Sequence, residues 1–263
     1  MDVDLSGVPD VGREIASAIA DICLDELGDD LETLLFHGSA IKGGMIEGSS
    51  DFDFVMIVRP GCLTPGDELP LAHATELHCR LATIDPAPFR YLQGHICPRH
   101  RPPGAGFIAG TYAVVLGSPD IPLATSEQLL AAAHTSLANL DRARGRDRLA
   151  NALLNHGEDR LYREVRWLCT DVWPVSFHIA CVVENNGLVA WQRNKLENVS
   201  FLQDDAIVGQ PLVAWLEIVS HHYAAGETVE SGLAAITAGA AFLDAAAEWY
   251  QHYQKAQAGD IDA

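Results

Sequence analysis

The chain has 263 residues and a formal net charge of −19, from 17 Lys and Arg against 36 Asp and Glu. That balance argues against a broad RNA or DNA surface, which needs Lys and Arg to displace counterions, so nucleic acid is not an expected partner. It favours a cationic substrate by steering, although plain solubility accounts for it with equal weight.

Apolar residues make up 48% of the chain, enough for a large core in one or two domains. No apolar stretch is read as a membrane span, and the N-terminus lacks the basic-then-apolar plan of a signal peptide. No membrane partner is therefore expected, and the expected location is cytoplasmic. Six cysteines (Cys23, Cys62, Cys79, Cys97, Cys169, Cys181) are scattered with no CxxC and read as reduced thiols.

In chain order, Asp10 opens a helix on which Val11, Ile15, Ile19, Ile22, Cys23 and Leu27 recur at helical spacing, and Gly28 closes it. Leu34-Leu35-Phe36 reads as a buried strand. Gly38-Ser39 follows, with Ser39 starting a short helix through Lys42. Asp51 to Val58 (DFDFVMIV) reads as a second strand. Residues 59 to 70, with three prolines and two glycines, form a loop. Leu77 to Ile84 reads as a third strand and Pro86 to Leu92 as a short helix with Pro at its start. A loop is expected over 97–106, and a strand over Tyr112–Leu116 ends at Gly117-Ser118-Pro119-Asp120.

From about residue 123 the texture changes to long Ala- and Leu-rich helical patterns. They are expected at 126–144, 146–155, 158–184, 188–203, 210–225 and 228–257, with residues 256–263 as a frayed tail. The fold class expected is α/β (α+β): an N-terminal domain with a small mixed sheet over 1–122, a linker near 118–125, then an all-α helical bundle over 123–263.

The chemistry concentrates between residues 36 and 54. Alternation along a strand points Asp51 and Asp53 the same way, roughly 7 Å apart at the backbone. Two neighbouring carboxylates repel and are costly to bury unpaired, and a divalent cation is the simplest compensation. Mg²⁺ favours one or two carboxylates plus phosphate oxygens. Gly38 lets backbone approach a ligand, and Ser39 offers a hydroxyl and helix-start N–H groups to phosphate. Ser50, just before the dyad, is counted with Gly38 and Ser39 as nucleotide-binding.

This stretch resembles the nucleotidyltransferase superfamily that includes DNA polymerase beta. Its signature is an apolar residue, Gly-Ser, a spacer of about ten residues, then Asp-x-Asp in an apolar frame. The resemblance implies Mg²⁺ held by Asp51 and Asp53, and ATP as co-substrate. It also implies a third carboxylate on a following strand. The segment read as that strand has no acid in its middle, which leaves Glu76 before it or Asp85 after it.

A second resemblance lies in the helical half, in Glu184-Asn185-Asn186-Gly187, Trp191-Gln192-Arg193-Asn194-Lys195 and Val199-Ser200-Phe201-Leu202. It is similar to the helical domain of streptomycin-spectinomycin adenylyltransferases. By that likeness Lys195, with Arg193 nearby, contacts the triphosphate. Glu184 or Asp171 meets a cationic acceptor or acts as general base. Trp173 and Trp191 read as core.

The function these resemblances imply is transfer of a nucleoside monophosphate, AMP from ATP, to a hydroxyl of a small cationic acceptor such as an aminoglycoside. The alternatives are an antitoxin-type enzyme that adenylylates a protein partner, and a non-catalytic nucleotide sensor. The eleven histidines show no metal-ligand spacing, and there is no GxSxG, Walker loop or GxGxxG.

Overall fold

The computed structural model describes residues 2–101, 106–118, 120–140, 142–155 and 159–259. The expected loop at 97–106, the end of the first domain and the tail at 256–263 therefore fall partly outside the described residues. The architecture is α+β, with a small mixed sheet followed by helices. The chain divides into two compact units, Met1–Thr125 and Ser126–Ala263.

The first unit opens with α1, Asp10–Leu27, which buries Ile15, Ile19, Ile22 and Cys23 on one face. It stops at Gly28, which takes a positive φ of 51° and whose N–H donates to the carbonyl of Leu24. Four strands follow: β1 Leu31–His37, β2 Phe52–Val58, β3 Leu92–Pro98 and β4 Tyr112–Gly117. Their order in the sheet is β3-β2-β1-β4. β1 runs antiparallel to both neighbours, while β2 and β3 are parallel.

Strand alternation sorts residues into two layers. Leu34, Phe36, Phe52, Phe54, Met56 and Val58 join the α1 residues in the main core. Leu35, Val55, Ile57 and Cys97 form a smaller cluster on the other face with Phe107 and Ile121.

Two expectations fail in this unit. The segment read as a third strand, Leu77–Ile84, belongs to a helix, α3, Leu71–Leu81. A parallel pair such as β2–β3 needs a crossover of a dozen or more residues, and α3 supplies it. The third strand lies later, at 92–98. The short helix expected at Pro86–Leu92 is a turn closed by Phe89 N–H on the Pro86 carbonyl at 2.9 Å. Its backbone bonds outward instead, with Arg90 N–H on the Ser50 carbonyl at 2.8 Å. A short α-helix, α2, Ser39–Lys42, lies between β1 and β2.

The second unit contains, among the described residues, α4 Ser126–Ala138, α5 Arg142–Leu153, α6 Arg160–Glu184, α7 Gly187–Gln192, α8 Lys195–Leu202, α9 Gly209–Ala224 and α10 Val229–Ala258. The single helix expected over 188–203 is two, because Asn194 starts a new one: its side chain accepts from Glu197 N–H, and Glu197 accepts from Asn194 N–H. Trp173 and Trp215 pack together in the core at 6.2 Å, and Gly239 of α10 lets Leu168 and Trp215 close onto the helix.

Contrary to expectation, α10 is long and apolar enough, by length and composition, to cross a membrane. Its hydropathy is spread over many Ala residues, so no run of large apolar side chains marks it. Within the unit α10 packs on α6 and α9, and 44% of its apolar window is buried.

Candidate functional site

β1 and β2 are antiparallel neighbours in a register that pairs His37 with Asp53. The residue after His37 therefore lands on the dyad. Gly38 has φ +69°, and a Cβ there would overlap the Oδ2 of Asp53. Only glycine lets the turn lie directly on the carboxylate.

The Gly38 carbonyl accepts from Lys42 N–H at 2.9 Å and Ile41 N–H at 3.2 Å, which winds α2. The N–H groups of Ser39 and Ala40, in the first turn of α2, have no acceptor among the described residues. Two amides and the Ser39 hydroxyl thus begin where the backbone touches Asp53. Asp51, two residues before Asp53 and just ahead of β2, shares its face by strand alternation.

Ser50 is placed differently. It is 2% exposed, and its hydroxyl accepts from Ile46 N–H at 2.9 Å. This hydroxyl braces the loop that delivers the chain to β2.

On the dyad face the registers set Tyr112, His37, Asp53 and Gln93 in one row across β4, β1, β2 and β3. Gln93 and His95 of β3 and Tyr91 just before it are linked by hydrogen bonds. Tyr91 Oη donates to Gln93 Oε1 at 2.9 Å, and Gln93 Nε2 and His95 Nε2 lie 3.1 Å apart. Sequence reasoning missed this trio. The signal was present as polar–apolar alternation over residues 91–96, but Gly94 interrupts it. His37 is held well below the ordinary histidine range, at about 4, first by burial and then by the positive charge of His95 and Lys42.

Glu76 is not beside the dyad. It is exposed on α3, and its neighbour Leu77 packs into the core on the opposite face of the sheet. Asp85 is exposed in the following turn, where it accepts from Ala87 N–H at 3.0 Å. The nearest strand to β2 on that side, β3, carries no acid at all.

The dyad offers hard oxygen donors that suit Mg²⁺, with the remaining positions left to phosphate and water. Among the described residues no group of three or more His, Cys, Asp or Glu side chains is arranged to hold a metal.

In the second unit, Glu184 pairs with Arg193 at 2.5 Å, and the Arg193 guanidinium lies 3.9 Å from the Phe201 ring centre. Lys195 begins α8 with its ammonium 5.6 Å from the Trp173 ring centre. Asp171, half-exposed, meets Arg148 at 3.2 Å. Trp191 stacks on Phe177 at 5.0 Å and Trp173 is buried, as expected of core residues.

No family model matches this chain, and no curated protein matches it.

Proposed function

We propose that the first unit is a Mg²⁺-dependent nucleotidyltransferase centre that moves a nucleoside monophosphate, AMP from ATP, to a hydroxyl of a small cationic acceptor such as an aminoglycoside. The observation that carries this reading is Gly38 seated on Asp53, which joins unbonded backbone amides to a carboxylate pair. In this reading Asp51 and Asp53 hold the cation, and the Ser39 hydroxyl and the amides of Ser39 and Ala40 hold the β- and γ-phosphates. The magnesium ion, when bound, offsets the triphosphate charge and favours in-line displacement at the α-phosphorus. Within the helical unit, the resemblance assigns Lys195 to phosphate and Glu184 or Asp171 to the acceptor. Both acids already engage arginines, so a cationic acceptor would have to displace Arg193 or Arg148.

One observation favours a second reading, a nucleotide sensor without transfer. The strand beside the dyad presents Gln93 and His95 where a third carboxylate is implied. A thermal-shift panel with each nucleoside triphosphate, with and without Mg²⁺, separates the outcomes. ATP with Mg²⁺ should raise the unfolding midpoint of the wild type, because a ligand that binds only the folded state stabilises it. Asp53→Asn should remain folded and lose that rise. Mass spectrometry of aminoglycosides incubated with ATP and the protein then looks for the added nucleotide. A midpoint indifferent to every triphosphate would sink both readings, and a rise without transfer would leave the sensor.

A further inference from the structure

The face of the sheet opposite the dyad holds a cavity of about 480 Å³ between α3 and the strands β2 and β3. Phe54, Met56 and Ile96 line it from the sheet, and Leu77 and Leu81 from the helix.

Two local features shape this space. The first is Gly94, which stands opposite Phe54 in the parallel register. Any side chain there would meet the Phe54 ring, since a Cβ would lie 2.5 Å from its Cζ. With none, the Phe54 ring lies against Gly94 itself. The second is α3 itself: of its eleven residues only Leu77 is buried. The helix bridges β2 to β3 without settling onto them. A gap in an apolar layer forfeits dispersion contacts on every wall, and this volume lies within the usual range of small-molecule sites, about 300–1,000 Å³.

The rim carries one carboxylate, Glu68. Glu68 and His78 both line the cavity, and neither side chain has a partner among the described residues. The nearby cations are already taken. Arg80 is held by Asp25 at 2.9 Å and Glu26 at 2.6 Å, and Arg101 is paired with Asp67. An apolar chamber with an unneutralised carboxylate at its mouth is complementary to an apolar body that ends in a cation.

We propose that this cavity binds a small cationic amphiphile, with a ring-sized apolar body between α3 and the sheet and one ammonium group at Glu68. The site lies on the other face of the sheet from Asp53 and stands whether or not the dyad transfers nucleotide.

Three probes of one shape test it on the full chain: 1-naphthylmethylamine as the cation, 1-naphthylmethanol as its neutral counterpart and 1-naphthoate as the anion. Labelling the methionine methyl groups places a reporter in the cavity wall at Met56 and another outside the lining at Met45. The amine should move the Met56 resonance saturably and bind about threefold to fivefold more tightly than the alcohol, the worth of a solvent-exposed ion pair. The naphthoate should bind most weakly. Glu68→Gln, or Glu68→Ala as a second exposed-site variant, should bring the amine and the alcohol to equal affinity with Met56 still responding. Failure of all three probes to shift Met56 would overturn the proposal, as would a preference for the amine that survives both substitutions.

Discussion

Phe52 and Asp53 are adjacent in the chain and face opposite sides of one sheet. Phe52 is fully buried, with its ring 5.3 Å from Phe36 and 4.9 Å from Phe89 in edge-on packing. Asp53 is half-buried, against a glycine that leaves it room. The period of two along a strand makes this division possible: alternate residues can be given to the core or to a polar face without altering the backbone. In β2 the core face is aromatic and shielded by α1, while the other face turns polar at the end where the turn arrives. Core packing and the proposed chemistry are therefore assigned to interleaved residues of the same seven-residue segment, and substitutions should separate them.

The largest effect should come from the core face. Phe52→Ala removes a large ring from a fully buried site and should cost about 3–5 kcal/mol, read as a lower midpoint in urea denaturation. At temperatures where the variant is still folded, its response to ATP and Mg²⁺ should match the wild type. Loss of that response in a folded Phe52→Ala protein would break the separation of the two faces.

His37 tests the polar face next, by pH. Its folded value is about 4 against an ordinary 6.5, so the unfolded chain binds the proton more readily. The stability associated with neutral His37 is fully present above 6.5 and declines as pH falls toward 4. Between pH 7.5 and 5 the loss should reach about 2 kcal/mol. His37→Gln should flatten the stability profile over that window, and the difference between the two urea series isolates this group from the other histidines. Parallel profiles would mean that His37 is not buried in its neutral form.

The smallest effect should lie outside the sheet. The Glu184–Arg193 pair is partly exposed, and Arg193 retains its contact with Phe201 when the carboxylate is removed. Glu184→Gln should cost no more than about 1 kcal/mol in the same denaturation assay. A cost as large as that of Phe52→Ala would make this pair a core element and blur the contrast with the sheet.

The reading of sequence succeeds where the signal is local. The apolar spacing of α1, the run that becomes β2 and the Gly38-Ser39 turn are each set by a few neighbours and by backbone chemistry at single positions. It fails between residues 71 and 98. Leu71, Ala74, Leu77 and Leu81 do recur at helical spacing behind Pro70, but a window opened at Leu77 sees only the end of that pattern and mistakes it for a strand. The true third strand has Gly94 at its centre and few large apolar residues, so its local preference is weak. It becomes a strand by lying along β2, which offers it an unpaired backbone edge.

That error carried the site with it. Glu76 was expected beside the dyad because its segment was read as the next strand, and a helix on the opposite face takes it away. The sequence by itself determined which residues alternate along β2, where the turn before it must bend, and that helices fill the second half. Only the tertiary structure decided that β3 pairs parallel with β2, that Gln93 stands opposite Asp53, and that α3 stands off the sheet over a cavity. Those outcomes depend on which distant segment hydrogen-bonds to a strand edge, and no periodicity within a segment encodes the identity of its partner.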